Sequence, residues 1–163
     1  MPVELAVVPV AGQGTRMLPL TRGIPKELLP VADKPVVQYV AEELERAGIR
    51  HMLLVTAAGK SAIEDHFDND EALTRKLSVS SDTDLIDGRR TCGNLTCSAV
   101  RQPQPLGLGH AVLCSRDVVD GRSFVVALGD AILGCRGQGR VVERLIEVFE
   151  REVADVVIAF EDE

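Results

Sequence analysis

Short apolar runs, separated by stretches of helical period, set the strongest limit on how this chain can fold. Glu4–Val10 (ELAVVPV), His51–Thr56 (HMLLVT), Leu95–Arg101, Ser123–Leu128 (SFVVAL) and Asp155–Phe160 (DVVIAF) are the runs. Except in Leu95–Arg101, their apolar residues are mostly consecutive and do not alternate with polar ones. A strand of that kind is buried on both faces, as in a parallel sheet covered by helices. Between the runs the period changes. Val36–Ala47 has apolar residues at 36, 37, 40, 44 and 47 and is followed by Gly48, which predicts an amphipathic helix with a stop. Ser61–Phe67, Gly109–Ser115 and Arg140–Glu152 also read as helices, the first continuing raggedly toward Leu77. The alternation predicts an α/β fold: a Rossmann-like, mostly parallel sheet with helices on both faces. Ser78–Gly93 is polar and is the best candidate for a mobile excursion. Neither an internal repeat nor a low-complexity segment interrupts the pattern.

The chain has 163 residues, which predicts a single domain over 1–163. Apolar residues make up 45%, with four phenylalanines, one tyrosine and no tryptophan, so the core is aliphatic. The formal net charge of −7 argues against nucleic acid and against an anionic membrane surface as partners. An anionic ligand must therefore be held by local positive groups. The four cysteines, Cys92, Cys97, Cys114 and Cys135, form no C-x-x-C pair, and no histidine is spaced to complete a zinc site. They read as free thiols in a reducing cytosol. No segment approaches the ~20 apolar residues of a membrane span, and no basic leader precedes an apolar run. A soluble cytoplasmic protein is expected.

One stretch departs from ordinary strand-to-helix connections: VPVAGQGTRMLPLTRGIPKELLP, Val8–Pro30. In open α/β sheets ligands bind outside the carboxyl ends of the strands, where Gly12 and Gly14 fall. Glycine permits a turn of positive φ, and successive N–H groups there can cradle phosphate oxygens. Gly-x-Gly by itself fits a plain tight turn better than a phosphate cradle. A P-loop needs G-x-x-x-x-G-K-[ST], which is missing, and a dinucleotide fingerprint needs a third glycine opening a helix. Instead, Pro19, Pro25, Pro30 and Pro35 exclude a regular helix before Val36. The resulting loop of about 20 residues exceeds the usual ~12–15 and reads as a binding element. It places Arg16 and Lys26 around the glycine turn. A planar guanidinium and a point-charge ammonium suit a polyphosphate.

The segments AGQGTRMLP, PKELLP and DKPVVQYV closely resemble the nucleotide-sugar pyrophosphorylases, in particular the bacterial UTP–glucose-1-phosphate uridylyltransferase family. The resemblance continues, in order, through AGI, IEDHFD, VRQPQPLGLGHAVLC and VALGDAIL. It implies the nucleotide-diphospho-sugar transferase fold and the formation of UDP-glucose and pyrophosphate from UTP and glucose 1-phosphate. The long loop would then hold the nucleotide triphosphate and the sugar phosphate. Arg16 and Lys26 are implied as catalytic cations, and Ala11, Gly12, Gly14 and Thr15 as the nucleotide cradle. Gln102 and Glu27 are implied as base readers, with Gly107 and Gly109 leaving room for uracil and ribose. Asp130 is implied as the ligand of Mg²⁺.

The chemistry of these residues allows the same roles without requiring them. A carboxamide offers an acceptor and two donors, so Gln102 can read uracil, although taken alone it reads as a surface residue. Asp130, just past a buried strand, suits a hard cation, and equally suits a turn cap. Gly129 stands where the family usually has proline. Glu64, Asp65 and His66 read as a solvated charged face, and His110 carries no assigned role.

The family's C-terminal part supplies a second metal-binding Asp, a Glu-Lys-Pro segment whose lysine grips the sugar phosphate, and most sugar contacts. The chain is expected to lack that part, with Glu161–Glu163 a solvated tail. A strand at 155–160 without its usual cover predicts self-association, so a homo-oligomer is expected. The expected small-molecule partners are UTP and glucose 1-phosphate or UDP-glucose. A shortened, non-catalytic nucleotide-binding or regulatory relative is the alternative reading. A dinucleotide oxidoreductase is disfavoured by the missing third glycine.

Overall fold

The computed structural model describes residues 2–68, 92–133 and 140–160. Its centre is β1 (Leu5–Pro9), flanked in parallel by β4 (His51–Thr56) and β6 (Phe124–Val126). β5 (Thr96–Arg101) pairs in parallel with the far edge of β4, giving the order β5-β4-β1-β6. Leu5 stands opposite both His51 and Phe124, and Leu54 stands between Val8 and Ala99. The chain thus builds outward on one side of β1 and returns to its other edge. That reversal is a topological switch point, where a crevice opens beyond the strand carboxyl ends.

Side chains of β1 alternate between two cores. Ala6, Val8 and Val10 face α1 (Val36–Arg46), α2 (Ser61–Phe67) and α5 (Val141–Glu152), through Val40, Leu44, Ile63 and Val142 among others. Leu5 and Val7 face α3 (Leu108–Leu113) and α4 (Arg116–Val119), through Ala111 and Val119. The runs of β1 and β4 are therefore buried on both faces, as their pattern predicts, whereas the edge strands β5 and β6 hold only half-buried and exposed residues. Burying one such aliphatic side chain contributes about 1.5–3 kcal/mol. Buried Glu43 of α1 accepts a hydrogen bond from the Val142 N–H at 3.3 Å. It sets a carboxylate at the N-terminus of α5, where the helix dipole favours one.

The structure corrects four expectations. Asp155–Phe160 forms no strand: Val156, Ile158 and Phe160 are 71%, 64% and 86% exposed. A strand needs a hydrogen-bonding neighbour as well as an apolar sequence. Here the segment instead lies across a cavity of about 750 Å³ from Phe124–Val126. Second, a small antiparallel hairpin, β2 (Pro30–Val31) and β3 (Lys34–Pro35), occupies the end of the loop read as irregular. Its prolines are tolerated because it is a free-standing edge pair. Third, the helix expected over Gly109–Ser115 begins at Leu108 and breaks into α3 and α4 at Cys114 and Ser115. Fourth, His66 does not stand on a solvated face. Its Nε2 is 3.0 Å from Gln38 Oε1, and burial holds its pKa below the usual histidine value. The continuation of α2 toward Leu77, most of the Ser78–Gly93 excursion, Cys135 and the acidic tail lie outside the described residues.

Gly129 fixes how closely the turn after β6 approaches β1. A Cβ there would stand 2.5 Å from Val10 Cγ1 and 3.4 Å from the Pro9 carbonyl oxygen. Val10 is fully buried, and its β-branched side chain has little rotamer freedom with which to withdraw. Gly129→Ala should cost about 1–3 kcal/mol in urea titration. Adding Val10→Ala should recover part of that loss, and a purely additive double mutant would show that the two positions do not touch.

Candidate active site

Three backbone hydrogen bonds extend the sheet beyond its strands. Val10 N donates to Val55 O at 2.9 Å, Gln102 N to Thr56 O at 2.7 Å and Ala127 N to Val7 O at 3.1 Å. They fix where the loops after β1, β5 and β6 leave the sheet. The loop after β1 is made of three single 3-10 turns: Thr15–Met17, Leu20–Arg22 and Lys26–Leu28. Gly14 has φ +64°, and Thr21 Oγ1 donates to its carbonyl at 2.7 Å. Thr21 Cγ2 lies 3.0 Å from where a Cβ at Gly14 would stand, so a glycine is needed for both conformation and space. The far end of the loop is anchored to α1. Tyr39 Oη donates to Val31 O at 2.7 Å, and Lys34 Nζ donates to Glu42 Oε1 at 2.9 Å.

Pro25 precedes the third turn and sends its first two residues to different partners. Lys26 runs beside Gly12 and forms an ion pair with Asp130, on the turn after β6. This contact closes over the β1–β6 switch point. Both side chains are partly solvated, 24% and 39% exposed. Glu27 turns inward and is 1% exposed, where Lys60 Nζ donates to its Oε2 at 2.7 Å. Lys60 leads from β4 into α2.

Gln102, at the end of β5, is buried, contrary to its plain reading as a surface residue. Its Nε2 is 3.1 Å from Gly107 O and 3.0 Å from His110 Nδ1. A cavity of about 340 Å³ opens against it, lined by Ala11, Gln13, Arg22, Lys60, Gln102 and Pro103 among others. The cavity beside β6 is larger, but its walls are mainly aliphatic. Convergent polar groups mark a binding site better than volume does, so the smaller cavity is the candidate.

The structure brings together most of the expected residues. Ala11 and Gln102 line the cavity, and Gly12, Lys26 and Asp130 meet at the switch point. Gly14 and Thr15 open the first turn, and Gly107 and Gly109 flank the start of α3. Arg16 is exposed on the first turn and forms no ion pair among the described residues. Arg22, not Arg16, lines the cavity. Glu27 lies behind the cavity wall. Sequence reasoning passed over Lys60, Gln13, Thr21 and Arg22. Lys60 had a usable signal, because a cation at a helix N-terminus opposes the dipole and calls for a nearby carboxylate.

No group of three or more metal-type side chains occurs among the described residues. Asp130 offers one carboxylate, paired with the Lys26 ammonium. That donor set fits a hard divalent cation taking its remaining oxygens from ligand phosphates and water.

A family model described as nucleotidyl transferase matches residues 5–161. The UTP–glucose-1-phosphate uridylyltransferase of Bacillus subtilis is 40% identical over 156 residues, which cover 95% of this chain and 53% of that protein. The enzyme of the same name from Klebsiella pneumoniae is 48% identical over 130 residues, 78% of this chain and 44% of its own. A solved UTP-bound UGPase from Acinetobacter baumannii superposes with a TM-score of 0.84 at 40% identity, over 93% of this chain and 54% of that one. The chain spans about half the length of the curated relatives it matches.

The buried ion pair gives a direct test of the site's scaffold. Lys60→Met leaves the Glu27 carboxylate buried and unpaired, and should destabilise the fold by about 3–5 kcal/mol. Chemical denaturation measures this, and a loss within the error of the titration would mean that water already solvates Glu27.

Proposed function

The chain belongs to the nucleotidyl transferase family, and on that premise we propose that it carries the nucleotide side of a uridylyltransferase site, joining UTP to glucose 1-phosphate with release of pyrophosphate. The observation that carries the reading is the convergence of Gly12, Lys26 and Asp130 at the switch point, beside a cavity that holds Gln102. The matched relatives, a UTP–glucose-1-phosphate uridylyltransferase and a UTP-bound UGPase, support the same substrates.

In this reaction a sugar-phosphate oxygen attacks the α-phosphorus of UTP in line, a new P–O bond forms, and pyrophosphate leaves. The nucleophile is already an anion, so no strong general base is required. Catalysis then rests on positioning and on neutralising charge. Lys26 is held toward the switch point by Asp130, and an incoming phosphate competes for the same ammonium. Arg16, exposed on the first turn, offers a planar fork to the outer phosphates. The backbone from Ala11 to Thr15 cradles phosphate oxygens, with Gly14 shaping the turn. Asp130 would hold Mg²⁺, which supplies further charge neutralisation when bound. Gln102 reads the base, with Gly107 and Gly109 bordering it. Glu27 contributes through the wall it forms with Lys60.

Two further expectations belong to this reading. Exposed Val126, Leu128, Ile158 and Phe160 support self-association into a homo-oligomer. Free Cys92, Cys97 and Cys114 fit a reducing cytosol, and no helix among the described residues is long and apolar enough to cross a membrane. A second reading, nucleotide binding without turnover, is favoured by the lack, among the described residues, of any group of three or more metal-type side chains.

Pyrophosphate release from UTP, Mg²⁺ and glucose 1-phosphate tests the proposal, with UTP binding followed by calorimetry. The expected result is Mg²⁺-dependent turnover that falls by about 100-fold or more in Asp130→Ala. Binding without turnover selects the second reading, and the absence of both overturns the two together. Sedimentation velocity should show concentration-dependent self-association that Ile158→Glu weakens; a monomer at all concentrations would refute the oligomer.

A further inference from the structure

We propose that His110 is a positioning residue for base selection: it locks the Gln102 carboxamide so that only its oxygen faces the ligand, selecting a base that carries an N3–H. The proposal rests on the nucleotide reading of the site and assigns a residue that reading leaves without a role.

The orientation of the amide follows from its neighbours. The Gly107 carbonyl lies 3.1 Å from Gln102 Nε2 and can only accept, so the amide nitrogen must face it. The second amide hydrogen is then left for His110 Nδ1, at 3.0 Å. Nδ1 must accept, which puts the imidazole proton on Nε2. That nitrogen lies 4.0 Å from Cys114 Sγ, one helical turn along α3. The donors therefore run in one direction, from His110 to the sulfur and from Gln102 to His110 and Gly107.

Both hydrogens of the Gln102 amide are consumed by this arrangement. Its Oε1 has no hydrogen-bond partner among the described residues. Among the described residues no buried side-chain oxygen or nitrogen lacks a partner, so Oε1 is not sealed off. Gln102 lines the candidate cavity, and Oε1 is the polar atom it has left to offer there. The side chain thus acts as a pure acceptor.

An acceptor at that point distinguishes pyrimidines by their ring nitrogen. Uracil and thymine carry a hydrogen on N3, flanked by two carbonyls. Cytosine has a bare lone pair at N3, which would face Oε1 lone pair to lone pair. A polar site matched to one pattern rejects the other because its own group is left unpaired. Without His110, one amide hydrogen of Gln102 is released. The bond to Gly107 is then the one contact holding the amide, so turning a donor toward the ligand costs less and cytosine is opposed less strongly. The ligand class is a nucleoside triphosphate with N3–H, so UTP and dTTP are accepted and CTP is excluded.

The experiment is calorimetric titration of the full chain with UTP and CTP, comparing wild type, His110→Asn and His110→Leu. Asparagine can place an acceptor near the position of Nδ1, whereas leucine cannot. The UTP-over-CTP ratio should persist in His110→Asn and drop about tenfold in His110→Leu, the worth of one mispaired hydrogen bond. N3-methyl-UTP, titrated into the wild type, needs no variant to fold and should bind at least about tenfold more weakly than UTP. An unchanged ratio in a folded His110→Leu, or equal losses in both variants, would overturn the positioning role. Full binding of the N3-methyl nucleotide would overturn the acceptor assignment. If the wild type binds neither UTP nor CTP, the nucleotide reading itself fails, an outcome distinct from the others.

Discussion

Strand β1 is hydrogen-bonded along both edges and buried on both faces, and the geometry of the site depends on that. Its register against β4 and β6 fixes where Val10, Gln102 and Ala127 leave the sheet. A shift by one residue would exchange Ala6 and Val8 with Leu5 and Val7 between two different cores. The register is therefore strongly determined, and with it the spacing between the loop after β1 and the turn after β6. Lys26 and Asp130 are 104 residues apart in sequence, yet they meet because the sheet order puts their strands side by side.

Two lysines near the site serve different ends, and magnitudes decide which. The pair between Lys26 and Asp130 is partly solvated, and such pairs contribute only about 0–1 kcal/mol. Little is lost when a phosphate takes the ammonium. The pair between Lys60 and Glu27 is almost fully buried, and removing one partner from such a pair costs about 3–5 kcal/mol. Lys60 is thus committed to the wall of the cavity, and Lys26 remains available for a ligand. Adjacent positions on one turn, Lys26 and Glu27, divide these tasks because Pro25 sets the turn that points them apart.

The fold was largely legible in the sequence. His51–Thr56 has the bounds that its pattern predicts, and α2 begins at Ser61 as expected, because a buried parallel strand and a one-sided helix leave clear periods. Pro35 likewise fixes the start of α1 at Val36. Asp155–Phe160 was misleading because pairing is a property of neighbours, which composition does not record. The site was legible where a residue type was demanded by local chemistry, as at Gly14, or by resemblance, as at Lys26, Gln102 and Asp130. Lys60 and His110 escaped because their significance lies in a partner 33 residues away for one and in the orientation of an amide for the other. Arg16 stands where its motif puts it, but no ion pair or side-chain hydrogen bond among the described residues fixes its direction.

The acidic character of the chain bears on how such a site can bind anions at all. With a net charge of −7, the long-range field opposes a nucleotide triphosphate. That field is screened beyond about 8 Å at physiological ionic strength, so contacts at close range dominate. A flexible loop would lose much of their benefit in ordering its own backbone. The proline-stiffened turns between Gly14 and Leu29, anchored through β2 and β3 to α1, remove that freedom before any ligand arrives. Rigidity also serves selection. Hydrogen bonds discriminate only where donors and acceptors cannot reorient, and Gln102, held on one side by Gly107 and on the other by His110, is such a group. On the proposed nucleotide reading, the stiff basic loop and the locked amide are two answers to one requirement: in an acidic protein, affinity and selectivity would both have to come from groups already in place.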